Sequence, residues 1–236
     1  MAGVAFVLLV IIALVVRTGG GDGRTTPEPG GVRTPSTVPA PDTGAGGNSA
    51  ISPLRLNNGV PVGYPHSCGG ATWAAVNFEV ARSSASYFTD AETRHRVIDA
   101  IAARSARDSL TRNDDTGMKQ VLSSLGITAA NRDTLVARAA ALGTRTVTCS
   151  PAVATVDVWM AGLVGATAAD APLPVSASWA TYTLTLQWED ADWRLTTVSS
   201  VPGPTPLDTG GDGTRPSSTE EFRTADRDFD APPYIG

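Results

Sequence analysis

The first sixteen positions, MAGVAFVLLVIIALVV, carry no charged or polar side chain, and Arg17 ends the run. A bilayer-spanning helix needs about 20 apolar residues, with roughly 17 as the lower limit. A secretory signal would show a basic start and an A-x-A-like cleavage site. Neither is present, and no cysteine follows closely enough for a lipid anchor. Residues 1–17 therefore read as an uncleaved signal anchor, with a cleaved signal peptide or a start further upstream as alternatives. Arg17 on the distal side runs against the positive-inside tendency and leaves the orientation open. Residues 18–56 then lose all apolar periodicity and become rich in Gly, Pro and Thr. Such a segment cannot bury enough to offset its ordering entropy, and reads as a disordered stalk.

Helical spacing starts near Gly69, where Trp73, Val76 and Val80 recur with Ala74, Phe78 and Ala81 beside them. A second segment opens at Asp90 as N-cap, with Val97, Ile98, Ile101 and Ala102 as its stripe, and reads as continuous to Leu110. Shorter helices are expected around Asp115–Leu125 and Asn131–Leu142, with Gly126 and Gly143 as their stops. The period then falls to two. TRTVTCS is short and β-branched, and Ala154, Val156, Val158 and Met160 alternate with Val153, Thr155, Asp157 and Trp159. Tyr182, Leu184, Leu186 and Trp188 share one face of the next strand, EDAD at 189–192 suits a hairpin turn, and Trp193, Leu195 and Thr197 continue the alternation. After residue 206 comes a flexible tail, 207–236, in which Ser217 with Glu220, or Ser218 with Glu221, can form a capping box and Phe222, Ala225 and Phe229 lie at helical spacing; a short, weakly docking helix and a disordered tail are the two readings. DTGGDG, 208–213, looks slightly like a calcium loop but lacks the closing glutamate, and reads as linker. Helices followed by antiparallel strands give an α+β domain over 57–206, with helices laid on one face of a sheet of about four strands.

Composition narrows the partners. The 236 residues carry a net charge of −5, and of 18 basic residues only Lys119 is lysine, without a basic run. That argues against nucleic acid, which needs clustered positive charge. The two cysteines, Cys68 and Cys149, and two histidines do not make zinc spacing. A Cys68–Cys149 disulfide, tolerated in an exported chain, and two buried thiols are the two readings.

Candidate chemistry is sparse. His95, between two arginines, should be neutral and exposed, and His66 in the entry loop GVPVGYPHSCGG has no evident partner. No serine stands in a nucleophile elbow, and neither a P-loop nor a dinucleotide-binding glycine motif occurs. No catalytic, cofactor-binding or metal-binding residue is assigned. Trp73, Trp159, Tyr182, Trp188 and Trp193 read as core and hairpin aromatics rather than a pocket lining, and Trp179 with them. Asp157, an acid in an otherwise apolar strand, is the weak pocket candidate; the alternative puts it on the strand's solvent face. The entry loop itself reads as a structural entrance, stiffened by Pro61 and Pro65, with Val62 and Tyr64 packed on the sheet.

GVPVGYP, VDVWMAGLVG, TYTLTLQWEDADWRL and GPTP, within residues 57–206, resemble a family of uncharacterised actinobacterial membrane-anchored proteins. The layout of anchor, stalk, helices and sheet is similar to the nuclear-transport-factor-2-like extracytoplasmic domains of type IV secretion and conjugation assembly proteins. The resemblance implies a cone-like domain acting as a scaffold: single-pass in the cell membrane through residues 1–17, extracytoplasmic, without a cofactor, and meeting other membrane or secretion-complex proteins or copies of itself. The same cone hosts isomerase-like and small-molecule-binding proteins, which is the second reading; a cell-envelope protein without an assembly role is the third.

Overall fold

The computed structural model describes residues 55–206 and 216–233. The expected anchor, nearly all of the stalk and the 208–213 glycine loop lie outside the described residues; among these, no helix is long and apolar enough to cross a membrane.

A short hairpin opens the fold, β1 (Arg55–Asn57) and β2 (Val60–Val62), turning through Asn58 and Gly59 at φ 50° and 80°. Asn-Gly is the pair that tolerates the left-handed conformation a two-residue turn demands. Four helices follow: α1 (Cys68–Arg82), α2 (Ala85–Thr89), α3 (Ala91–Ile101) and α4 (Arg107–Ser124). Then come β3 (Leu135–Cys149), β4 (Val153–Ala166), β5 (Ser176–Glu189), β6 (Asp192–Pro202) and α5 (Thr219–Asp228). The four long strands form one antiparallel sheet in the order β3-β4-β5-β6. This is the α+β arrangement expected.

The helix starts follow local chemistry. Ser67 caps α1 by accepting from the Gly70 amide, and Asp90 caps α3 by accepting from Glu92 and Thr93. Gly126, at φ 68°, ends α4: its amide reaches the Ser123 carbonyl while Ile127 reaches that of Leu122, a Schellman closure. The expected single helix from Asp90 to Leu110 is instead two. It breaks after Ile101 because Ala102 is extended and the Ala103 amide leaves to donate to the Leu195 carbonyl of β6.

The helix expected at Asn131–Leu142 is a correction. Only Arg132–Thr134 form a single 3-10 turn, and Leu135 onward is strand. Leu135, Ala137 and Ala141 are buried in alternation, so the apolar period is two. Gly143, expected as a helix stop, pairs with Trp159 inside the sheet. Leu142 and Val147 are extra, exposed residues at two register shifts of β3, and Thr196 is the extra residue of β6. Bulges bend a strand and switch its facing. The last one turns Thr197 away from the face of Trp193 and Leu195, against expectation, and brings Val198 to the core.

One face of the sheet, with Ala154, Val156, Val158 and Met160 of β4 and Leu184 and Leu186 of β5, is buried under the helices. The covering face of α1 is small: Ala71, Ala74 and Ala75 flank Phe78, so the helix lies close to the strands. A second cluster joins Phe88, Val121, Leu125 and Ile127 to Leu135, Ala137 and Ala166. Trp193 is fully buried in the main core, with Trp188 and Trp73 packed at its margin. Trp159 is not in it: it lies on the opposite face, under α5, with its Nε1 donating to the Pro204 carbonyl at 3.0 Å.

The entry loop is held against the end of the sheet. Cys68 and Cys149 are joined by a disulfide, Cα to Cα 5.9 Å. His66 stacks on Trp188 at 4.0 Å and bonds the Pro151 carbonyl, which supplies the partner the sequence did not reveal. The Pro65 carbonyl accepts from Trp193 Nε1 at 3.0 Å and from the Ser67 amide at 2.8 Å.

Two outcomes follow. A Cβ on Gly70 would collide with that same Pro65 carbonyl. Gly70→Ala should lose about 2 kcal/mol, as overpacked sites do, read as a lower urea midpoint. Cys68→Ser should lose on the order of 4 kcal/mol, since the disulfide closes a loop of 81 residues. A variant as stable as the unreduced parent would show that the bridge does not form.

Candidate functional site

Two polar clusters are built into this frame, one on each side of the sheet. The first lies between α1, α2 and α4. Glu79 and Arg82, three residues apart on α1, pair at 2.7 Å. Arg82 also clasps Asp114 of α4, with Nη2 at 2.9 Å and 3.1 Å from the two carboxylate oxygens. The Tyr87 hydroxyl donates to the same Asp114 carboxylate. Glu79, Asp114 and Tyr87 are all buried. Burial pushes the Glu79 carboxyl above its ordinary 4.5; the Arg82 charge and hydrogen bond oppose this, and the Asp114 charge adds to it. Burial also raises the Tyr87 phenol, and raises that of Tyr182 with help from the Glu79 charge.

Such a raised carboxyl is the kind of group that can serve as an acid or base. Here its charge and that of Asp114 are committed to Arg82. A small cavity of about 60 Å³ beside Tyr182 leaves space for little more than water. Sequence reasoning passed over Glu79; the available signal was an acid on the same helical face as Ala71, Ala75 and Phe78.

The second cluster lies on the other face. Asp157 of β4 stands opposite Arg145 of β3 in register, and the Arg145 Nη2 is 2.6 Å from its carboxylate. Thr183 of β5 donates to the other oxygen at 2.6 Å. The strand alternation placed Asp157 on this face, yet it is only 4% exposed rather than open to solvent, because α5 lies over it. It is not the floor of a chamber beneath the helices. Arg145 reaches on to Asp228 at 3.7 Å and lies 5.2 Å over the Phe229 ring. Between α5 and the strands is a cleft of about 520 Å³, walled by Thr181 and Val201 on the sheet side and by Ser218 and Thr224 on the helix side. Hydroxyls, carboxylates and apolar edges alternate around it, which suits binding. It has no histidine or cysteine in its lining.

His95 is drawn in elsewhere. Its Nε2 is 2.9 Å from Asp115, which also takes Arg94 at 2.7 Å, so it is paired rather than isolated between arginines. Burial resists ionisation of Asp115, but these two partners win and hold its carboxyl below the usual range. Among the described residues, no group of three or more His, Cys, Asp or Glu side chains is arranged to hold a metal ion.

Residues 23–213 match the family described as a domain of unknown function, DUF8175. The chain belongs to that family. The DUF8175 match stops before α5 begins. No curated protein matches the chain. Among solved structures, an IcmL-like type IV secretion system protein from Legionella pneumophila is 11% identical at a TM-score of 0.45, covering 62% of this chain and 99% of its own. The intermembrane-space region of the chloroplast protein ARC6 is 10% identical at a TM-score of 0.30, covering 57% of this chain and 92% of its own.

The Glu79 shift has a pH consequence. Its folded carboxyl holds a proton more tightly than the unfolded one, so its contribution is full below 4.5 and is lost as pH rises through the raised value. Glu79→Gln removes that loss. Urea unfolding from about pH 4 to about pH 8 should show the variant gaining on the parent as pH rises, and a pH-independent difference would refute the assignment.

Proposed function

We propose that this DUF8175 protein is a membrane-tethered, extracytoplasmic interaction scaffold rather than an enzyme. The observation that carries the reading is the distribution of polar groups. The ionisable side chains buried beneath the helices at Glu79, Arg82 and Asp114 are bound to one another, whereas the larger cleft faces outward on the other side of the sheet. A domain that works by contact needs a rigid body and an outward recognition surface. The disulfide supports an oxidising compartment. The apolar run at 1–17 supports a tether, and membership of a conjugative or secretion-type assembly is the finer form of the same reading. An isomerase-like alternative would need a ligand-sized chamber reaching Glu79.

A photo-crosslinking amino acid at Val201, exposed on the rim of the cleft, tests the reading in intact cells. Discrete protein adducts are expected there, and not from the same group at Asn113, exposed on α4. External protease should cut the domain without lysis. Protection from protease, or absence of adducts at Val201, would overturn the proposal.

A further inference from the structure

Among the described residues, helix α5 differs from the other helices in how it is held. Of its residues Thr219–Asp228 only Ala225 is buried, whereas α1 buries seven and α3 five. No α5 residue belongs to either hydrophobic cluster, so the core closes without it. Its start is nevertheless closed locally, where Ser218 and Glu221 form a reciprocal capping box.

The surface beneath α5 is shaped to receive it. Gly143 sits where a Cβ would come within 2.8 Å of the Phe229 Cβ, so a strand residue without a side chain makes room for the helix end. Trp159 packs between Phe222 and Phe229, with ring centres at 6.2 Å and 6.1 Å. Arg145 meets Asp228 and the Phe229 ring. Beyond the helix, Asp230 exchanges two backbone hydrogen bonds with Thr144 on the edge strand, at 2.9 Å and 2.8 Å. The apolar surface continues past the helix through Ala161 to Leu163, which is well exposed.

A built receptor, an occupant outside both cores, and an occupant beyond the matched family segment point one way. We propose that the outer sheet face is a helix-docking surface, that α5 is its detachable in-chain occupant, and that the partner it serves presents an amphipathic helix of the same chemistry. That chemistry is read from α5: an aromatic, a small residue and an aromatic at i, i+3 and i+7, as in Phe222, Ala225 and Phe229, with a carboxylate beside the second aromatic for Arg145. The inference rests on the scaffold reading and specifies its partner. Tethered occupants compete at an effective concentration on the order of 1 mM, so a free helix gains access chiefly when α5 is weakened.

The test uses the full chain and a fluorescent synthetic peptide spanning residues 216–233. Ala225→Glu forces a charge into the one buried position of α5 and should release it while leaving the receptor intact. The peptide should bind this variant at least about tenfold more tightly than the parent chain. Adding Gly143→Val should abolish that binding. In the parent itself, α5 amides should exchange with deuterium far faster than those of β4, a measurement that needs no variant. Equal peptide binding by parent and Ala225→Glu chains, binding by neither, or α5 protection matching that of β4 would overturn the proposal. Adducts at Val201 without peptide binding would remove the helix-docking inference and leave the scaffold reading; peptide binding without adducts would remove the scaffold and its partner and leave α5 only as a detachable helix.

Discussion

The fold depends on one buried carboxylate. Asp192 follows the tight turn between β5 and β6 and is completely shielded from solvent. Its oxygens accept from the Gly63, Tyr64 and Trp193 amides at 2.9, 3.2 and 2.9 Å, with Arg194 and Arg55 further out at 3.6 and 3.9 Å. A buried carboxylate is tolerable only when its lone pairs are filled. Those donors come from two segments about 130 residues apart, so satisfying Asp192 fixes the entry loop on the tip of the last hairpin. The Tyr64 hydroxyl, raised by burial and by the Asp192 charge, stays neutral beside it.

The position of α1 follows. With Pro65 bonded to Trp193, Gly70 must pass close to the loop, and the alanine face of the helix settles onto β3 to β6. An alanine surface gives little grip, since its shallow side chains interlock poorly with the strands. The Glu79–Arg82–Asp114–Tyr87 cluster supplies the missing specificity. Groups paired through Arg82 in a low-dielectric site favour one arrangement of α1 against α4, and sliding either helix would strand a buried carboxyl group.

Much of this was legible where one residue dictates local geometry. Asp90, Ser218 with Glu221, Gly126 and the EDAD turn all announced themselves, the last with Asp190 and Ala191 at φ 53° and 56°. Legibility failed where tertiary pairing overrode propensity. LVARAAAL is rich in strong helix formers, and its period of two was hidden because the alternating residues are alanines that look alike on either face. Thr197 failed for another reason: an extra residue at Thr196 reverses facing without changing composition. Asp157 stood out as an acid in an apolar strand, but its partner Arg145 lay in TRTVTCS, where nothing local marks a pairing twelve residues ahead.

The two faces therefore differ in kind. Helices on the inner face carry both hydrophobic clusters and the ionic lock, so their loosening is tied to global unfolding. On the outer face a single helix rests on two aromatic contacts, an exposed guanidinium and a pairing at each end, Ser217 with Thr205 and Asp230 with Thr144. Exposed ion pairs contribute little, and aromatic pairs add only about 1 kcal/mol each. The free energy that separates α5 docked from α5 free is thus small compared with that of the domain. A recognition surface covered by so lightly held an element can be uncovered without disturbing the fold that presents it.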